Sequence, residues 1–266
     1  MKLTMLGTGS AAVKNCYNTC FVFSDNHGYF LVDAGGGNQI LKILDEQNIN
    51  ITDLNHIFIT HSHTDHILGA VWLVRMIGQA INYDGCNKQF NIYCHDEAAD
   101  ALKAICCATL PASVTKHFDG QIKLNILNDG DVYKILDCDV EFFDIHSDKT
   151  KQFGFVLLTS DSKKVVCCGD EPMAEDVFDK AYGCDWLMHE AFCLYSQRDI
   201  FKPYQKFHST VKDACEIAEK LNVKNLLLYH TEDSQLEKRK KLYSDEGKQY
   251  YTGNLLIPDD NEYIEI

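Results

Sequence analysis

No apolar run in the sequence reaches the roughly 20 residues that a membrane-spanning helix needs. The opening MKLTMLGTGS has no apolar h-region and no small-residue cleavage site, so the sequence predicts a cytoplasmic protein with no membrane partner. Proline is scarce, at four residues in 266. No low-complexity stretch marks a linker and no repeat recurs, so one domain over residues 1–266 is expected. Basic residues are outnumbered, 25 against 39, which leaves a formal charge of −14 and opposes broad electrostatic attachment to nucleic acid. The one basic run, EKRKK at 237–241, reads as the solvated face of a polar helix. No C-x2-C pair occurs, which excludes a zinc ribbon. The twelve cysteines do not form a disulfide framework either. Cys106–Cys107 and Cys167–Cys168 are adjacent, the others are scattered through apolar runs, and most read as small buried hydrophobes.

What is present is the material of a layered α/β globule. The 45% hydrophobic and 24% charged content allow a full core. Short apolar, β-branched or aromatic runs recur at 2–6, 20–24, 29–35, 56–60, 90–95, 122–127, 140–146, 153–160, 164–170, 185–191 and 225–230. Glycine, aspartate and asparagine bound many of them, as strand ends require. Helical patterns fall between, at 38–48, 67–80, 96–110 and 209–222. The segment 67–80 is apolar almost all round, which predicts burial. Two strand-rich halves interrupted by helices suggest sheets covered by helices.

One stretch concentrates chemistry. ITHSHTDHILGA, residues 59–70, holds His61, His63, Asp65 and His66 between a strand-like run and a buried helix. In extended backbone, residues two apart face one way, so His61 and His63 address one site. Asp65 falls near the N-cap of the helix and His66 in its first turn. Imidazole and carboxylate donors suit zinc, manganese or iron. Further metal-type residues close later strands: His146 after VEFFDI, Asp170 after KVVCCG and His230 after NLLLY. One ion takes only three or four protein ligands, so this many donors suggests two metals.

The pattern H-x-H-x-D-H, then a histidine, then G-D, then a histidine, resembles the metallo-β-lactamase superfamily over nearly the whole chain. LGTGSA at the start, His189-Glu190-Ala191 and His208-Ser209-Thr210 resemble its RNase Z branch. The resemblance implies an αββα sandwich of two mixed sheets with a two-metal site on one edge. It also sorts the donors: His61, His63 and His146 on one metal, Asp65, His66 and His230 on the other, and Asp170 bridging. Zinc is the metal expected first, with manganese or iron as alternatives, and a homodimer is the common state of such relatives.

The implied activity is hydrolysis by a water that two metals activate, with no serine or cysteine nucleophile. Asp65 would orient that water as well as bind metal. Glu190 and His208 would form a carboxylate–imidazole pair that protonates the leaving alkoxide. The sequence departs from the branch where tRNA phosphates would be met. The P-x-K-x-R-N loop of RNase Z aligns with VKNCYN, residues 13–18, so Val13, Asn15 and Tyr17 replace proline, lysine and arginine, and only Asn18 is kept. No long glycine- and proline-rich arm is visible. A small or cyclic phosphodiester is therefore expected ahead of RNA 3′ ends. A lactonase, thioesterase or β-lactamase on the same fold is the alternative, and it would not need the Glu190–His208 acid.

Overall fold

Strand faces dictate the layering. The computed structural model describes all 266 residues. Along β1 (Lys2–Gly7), Leu3 and Met5 join one buried cluster and Leu6 joins another. Along β2 (Cys20–Asp25), Phe21 and Phe23 follow the first pair, while Cys20 and Val22 follow Leu6. A strand apolar on both faces must be covered on both, and that produces four layers. The chain continues through β3 (Gly28–Val32), α1 (Gln39–Glu46), β4 (His56–Phe58), α2 (Thr64–Tyr83), β5 (Phe90–Cys94), α3 (Asp96–Thr109), α4 (Ala112–Thr115) and β6 (Ile122–Ile126). The second half comprises β7 (Val132–Ile135), β8 (Cys138–Asp144), β9 (Phe153–Leu158), β10 (Lys164–Cys167), α5 (Phe178–Ala181), β11 (Trp186–Glu190), α6 (Arg198–Phe201), α7 (Val211–Lys220), β12 (Asn225–Tyr229), α8 (Arg239–Gly247), β13 (Asn254–Leu256) and β14 (Glu262–Glu265).

Two seven-stranded sheets result, in the orders β14-β1-β2-β3-β4-β5-β6 and β13-β12-β11-β10-β9-β8-β7. Both are mixed: β3 to β6 run parallel and so do β10 to β13, while the other pairings are antiparallel. The inner faces meet in an aromatic core. Phe155 makes edge contacts with Phe23, Phe30 and Phe58 at centroid distances of 5.9–6.0 Å, and Phe58 lies 4.8 Å from Phe142. Each fully buried phenylalanine contributes about 1.5–3 kcal/mol by leaving water. Helices α1, α2 and α3 cover the outer face of the first sheet, and α7 packs on that of the second. This is the αββα sandwich of two mixed sheets expected from the sequence.

Three strands escaped the sequence reading: β7, β13 and β14. All are edge strands or next to an edge by their sheet order and show little burial, so they lack the apolar alternation that reveals a strand. The basic run at 237–241 is also corrected in one residue. Arg239 is buried, not solvated, because its guanidinium donates to Thr8 Oγ1, Thr231 Oγ1, the Pro258 carbonyl and Asp259. It ties α8 and the C-terminal segment to the loop after β1. All twelve cysteines stand as free thiols and nine are buried, which agrees with their reading as small hydrophobes. No helix is long and apolar enough to cross a membrane.

Helix α2 is pulled against the end of β3. The Ala34 N–H donates to the His66 carbonyl and the Gly69 N–H to the Gly35 carbonyl, at 3.1 and 2.8 Å. A Cβ at Gly69 would lie 1.8 Å from the Ala34 carbonyl oxygen, so only glycine permits this approach. Gly69→Ala is expected to destabilise the protein by about 1–3 kcal/mol or more through overpacking against rigid backbone. Gly37→Ala, where an added Cβ meets nothing within 4 Å, is expected to stay within about 0.5 kcal/mol of the parent. Urea unfolding of the two variants checks this, and equal midpoints would refute it.

Candidate metal centre

Six of the seven metal-type residues converge where strands give way to loops. His61 follows β4 after two linking residues, His63 is the extended N-cap of α2, and Asp65 and His66 lie in the first turn of that helix. Asp170 follows β10 and His230 follows β12 directly. Donor atoms of His61, His66 and Asp170 lie within 4.8 Å of one another, and so do those of Asp65, His66 and His230. His63 Nδ1 is 2.9 Å from His61 Nε2. His61, Asp65, His66, Asp170 and His230 are all buried.

Hydrogen bookkeeping sets the orientation of the rings. His66 Nδ1–H donates to Asp33 Oδ2 at 2.6 Å. Thr60 Oγ1 spends its own hydrogen on Asp33 Oδ2, at 2.8 Å, and so accepts from His61 Nδ1–H at 2.9 Å. Thr19 Oγ1 spends its hydrogen on the Gly9 carbonyl and accepts from His230 Nδ1–H, both at 3.0 Å. In all three rings the Nε2 lone pair is left facing Asp170, at 3.7, 3.8 and 3.5 Å for His61, His66 and His230. His66 Nε2 is buried and has no hydrogen-bond partner. A bare buried imidazole nitrogen among ionised carboxylates is costly alone, and together with the neighbouring Nε2 atoms it makes the donor set of a divalent cation. The residues present therefore fit a metal.

Charge follows the same logic. Burial pushes His61 well below the usual imidazole range and His230 down to about 3, which keeps them in the neutral, metal-ligating form. Burial also lowers His63. Burial would raise Asp65, but the charge and hydrogen bond of His66 outweigh it and hold the carboxyl low. Asp170 is likewise held well below its usual value by His61, His230 and His66 despite burial. His66 is the exception: burial opposes its charge, yet Asp33 and Asp65 raise it strongly.

His146 does not join this group. Expected beside His61 and His63, it lies on the surface with its side chain 54% exposed and Nδ1 bonded to Asp176 at 2.5 Å. Its backbone has φ 57° and its N–H donates to Asp144. The left-handed turn after β8, with the Asp176 carboxylate beside it, directs the ring outward. In this arrangement of the turn, His146 therefore stands apart from the other six donors.

The supporting residues were missed. Asp33 leaves β3 at φ 54° and takes the Thr60 N–H, the Thr60 hydroxyl and the His66 ring N–H. It carries the strand-end signal used for Asp170, an aspartate beside a glycine-containing turn, but no histidine motif draws attention to it. Gln152, fully buried, donates from Nε2 to Asp170 Oδ1 at 2.6 Å and accepts the Asp170 N–H at 3.2 Å. Gly169, at φ 75°, allows this, since a Cβ there would lie 2.5 Å from Gln152 Oε1. Nothing in the sequence marks Gln152.

The Glu190–His208 pair forms beside the cluster. Glu190 closes β11, fully buried, with Oε1 accepting the Ser209 N–H. Its Oε2 lies 3.6 Å from His208 Nδ1, and neither atom has another partner. Burial lowers His208, but the nearby Glu190 carboxylate prevails and its pKa is raised. The ring stacks on Phe192 at 5.2 Å, and a donor atom of His208 lies within 4.8 Å of donors on Asp170 and His230. His189 is structural: its Nδ1–H donates to the Glu190 carbonyl and its Nε2 accepts the Met173 N–H.

Asp33→Ala is expected to lower divalent-ion affinity about 10- to 100-fold, since His66 loses the group that orients it. Zinc competition against a chromophoric chelator measures this, with circular dichroism to establish folding. Parent-like affinity in a folded variant would show that Asp33 does not orient the ring.

Comparison with known proteins agrees with this geometry. A ribonuclease Z from Azobacteroides pseudotrichonymphae genomovar. CFP2 is 27% identical over 263 residues, covering 86% of this chain and 87% of that protein. The metallo-β-lactamase fold protein YhfI of Bacillus subtilis superposes with a TM-score of 0.78 at 18% identity, over 99% of this chain and 98% of that one. The short form of human tRNase Z gives 0.76 at 20% identity, over 100% and 99%. The fold is therefore the metallo-β-lactamase fold, and its clustered histidines and aspartates are a set that could hold a divalent metal. The family described as Anti-Pycsar protein Apyc1 matches residues 1–254, so the chain belongs to that family.

Proposed function

We propose that the protein is a metal-dependent phosphodiesterase that hydrolyses small or cyclic phosphodiesters, using two divalent ions, zinc first, held by His61, His63, Asp65, His66, Asp170 and His230. The observation that carries the reading is the convergence of the His61, His66 and His230 Nε2 atoms on Asp170 beside the Glu190–His208 pair. Divalent ions in such a site supply Lewis acidity and lower the pKa of water.

The chain's own groups do the rest. Asp65, held ionised, offers a carboxylate that can accept a proton from the attacking water and orient it. Gln152 keeps Asp170 in place with both ends of its amide. His208, backed by Glu190, donates a proton to the departing alkoxide, and the carboxylate stabilises the imidazolium before transfer. Phe192 covers one face of that ring and excludes water from it.

The loop at 13–18 favours a small substrate. Tyr17 is buried, and its hydroxyl lies 2.9 Å from both the Ala34 and Gly37 carbonyl oxygens. Asn15 donates to Asp233. Tyr17 serves packing and Asn15 a surface hydrogen bond, and neither presents a cation to an RNA backbone. RNA 3′ ends remain the second substrate class, on the strength of the ribonuclease Z relatives.

Manganese- or zinc-loaded protein is expected to hydrolyse bis(p-nitrophenyl) phosphate and cyclic nucleotides, to leave pre-tRNA largely intact, and to lose activity on chelation. His208→Ala and Glu190→Gln are expected to cut kcat on a cyclic nucleotide about 10²- to 10⁴-fold. The loss on bis(p-nitrophenyl) phosphate is expected to be much smaller, because p-nitrophenolate leaves without a proton. Lactone opening without phosphodiester cleavage would overturn the reading in favour of a carboxyl-ester hydrolase.

A further inference from the structure

An anionic diester must approach a centre ringed by Asp33, Asp65, Asp170, Glu171 and Glu190, on a chain of formal charge −14. The loop at 13–18 carries a single lysine, Lys14, which is exposed. A cation beside the centre comes from the turn between β8 and β9. Ser147 Oγ donates to Glu171 Oε1 at 2.6 Å and accepts the N–H groups of Lys149 and Thr150 at 3.2 and 3.3 Å. These bonds fix the turn to the residue that follows Asp170. Lys149 Nζ lies 3.7 Å from the same Glu171 Oε1, beyond hydrogen-bond reach, with its side chain only 16% exposed. The carboxylate restrains the ammonium, and no hydrogen bond to it uses up the ammonium protons.

The neighbouring Lys151 contrasts with it, since its ammonium is spent on Asp96 at 2.7 Å. Glu171 follows the metal-type residue Asp170 directly, so the ammonium held beside it lies next to the centre.

We propose that Lys149 is a substrate-binding residue whose ammonium takes a non-bridging oxygen of the phosphodiester, with Ser147 and Glu171 presenting it. This inference rests on the phosphodiesterase reading. It places the phosphate-gripping cation on the β8–β9 turn, where the sequence shows no basic motif. Substrate displaces the loose Glu171 contact, and no covalent step involves the lysine.

The test uses the metal-loaded full chain with bis(p-nitrophenyl) phosphate as substrate and inorganic phosphate as competing anion. Lys149→Met is expected to reduce kcat/KM about 10- to 100-fold, mainly through KM, the size of one lost charge-assisted hydrogen bond. It is also expected to weaken phosphate inhibition by a similar factor. Lys149→Arg is expected to recover most of both, and Lys151→Met to match the parent. Thermal melting of each variant checks folding. Lys149→Met with parent-like kcat/KM and phosphate inhibition would overturn the proposal. A loss that arginine does not rescue, or that leaves phosphate inhibition unchanged, would assign Lys149 a structural role and overturn it too. A parent protein inert toward the diester would instead sink the phosphodiesterase reading itself, a distinguishable result.

Discussion

The Asp33 carboxylate is the interaction on which the rest of the site depends. It accepts three hydrogens: from the Thr60 N–H, the Thr60 hydroxyl and the His66 ring. The first ends the β3–β4 ladder and releases the chain toward His61. The second turns the Thr60 hydroxyl into an acceptor for His61 Nδ1–H. The third seats His66 in the first turn of α2. A buried polar hydrogen must be paired, so these bonds leave each ring one orientation, with its lone pair inward. One carboxylate therefore sets the geometry of two histidines, one strand end and one helix start.

Strained backbone recurs at the same level of the sandwich. Asp33, His146 and His230 all leave their strands with φ between 54° and 59°, a region that non-glycine residues rarely enter. Such turns store free energy and persist only where surrounding contacts hold them. For Asp33 and His230 the contacts are buried hydrogen bonds within the site. For His146 they are surface carboxylates, and the same turn delivers the ring to solvent. Backbone geometry alone thus does not decide whether a strand-end residue serves the centre; the partner that claims its side chain does.

Electrostatics then separates roles among the acidic groups. Asp65 and Asp170 stay ionised because protonatable imidazoles surround them, and Glu190 is reserved for His208. On an acidic protein this arrangement repels an approaching anion. A cation on a pinned turn, Lys149, resolves that conflict locally without making the whole surface basic. The buried Tyr17 and the tethered Asn15 show what became of the loop where relatives of the RNase Z type carry their basic side chains.

By itself, the sequence determined the local things. Apolar alternation located eleven strand regions, and period-3.6 stripes located the main covering helices. The H-x-H-x-D-H spacing placed four donors at one strand-to-helix junction, because two-residue spacing in extended chain and a helix's first turn leave little freedom. Asp170, His230, Glu190 and His208 were legible as strand-end or motif residues. Only the tertiary structure decided which long-range partners each side chain meets. It turned His146 out to Asp176, buried Arg239 under the loop after β1, and recruited Asp33, Thr19 and Gln152 as supports. Those outcomes depend on contacts between segments far apart in the chain, often more than a hundred residues, and hydrophobic periodicity carries no record of which polar group will be waiting there.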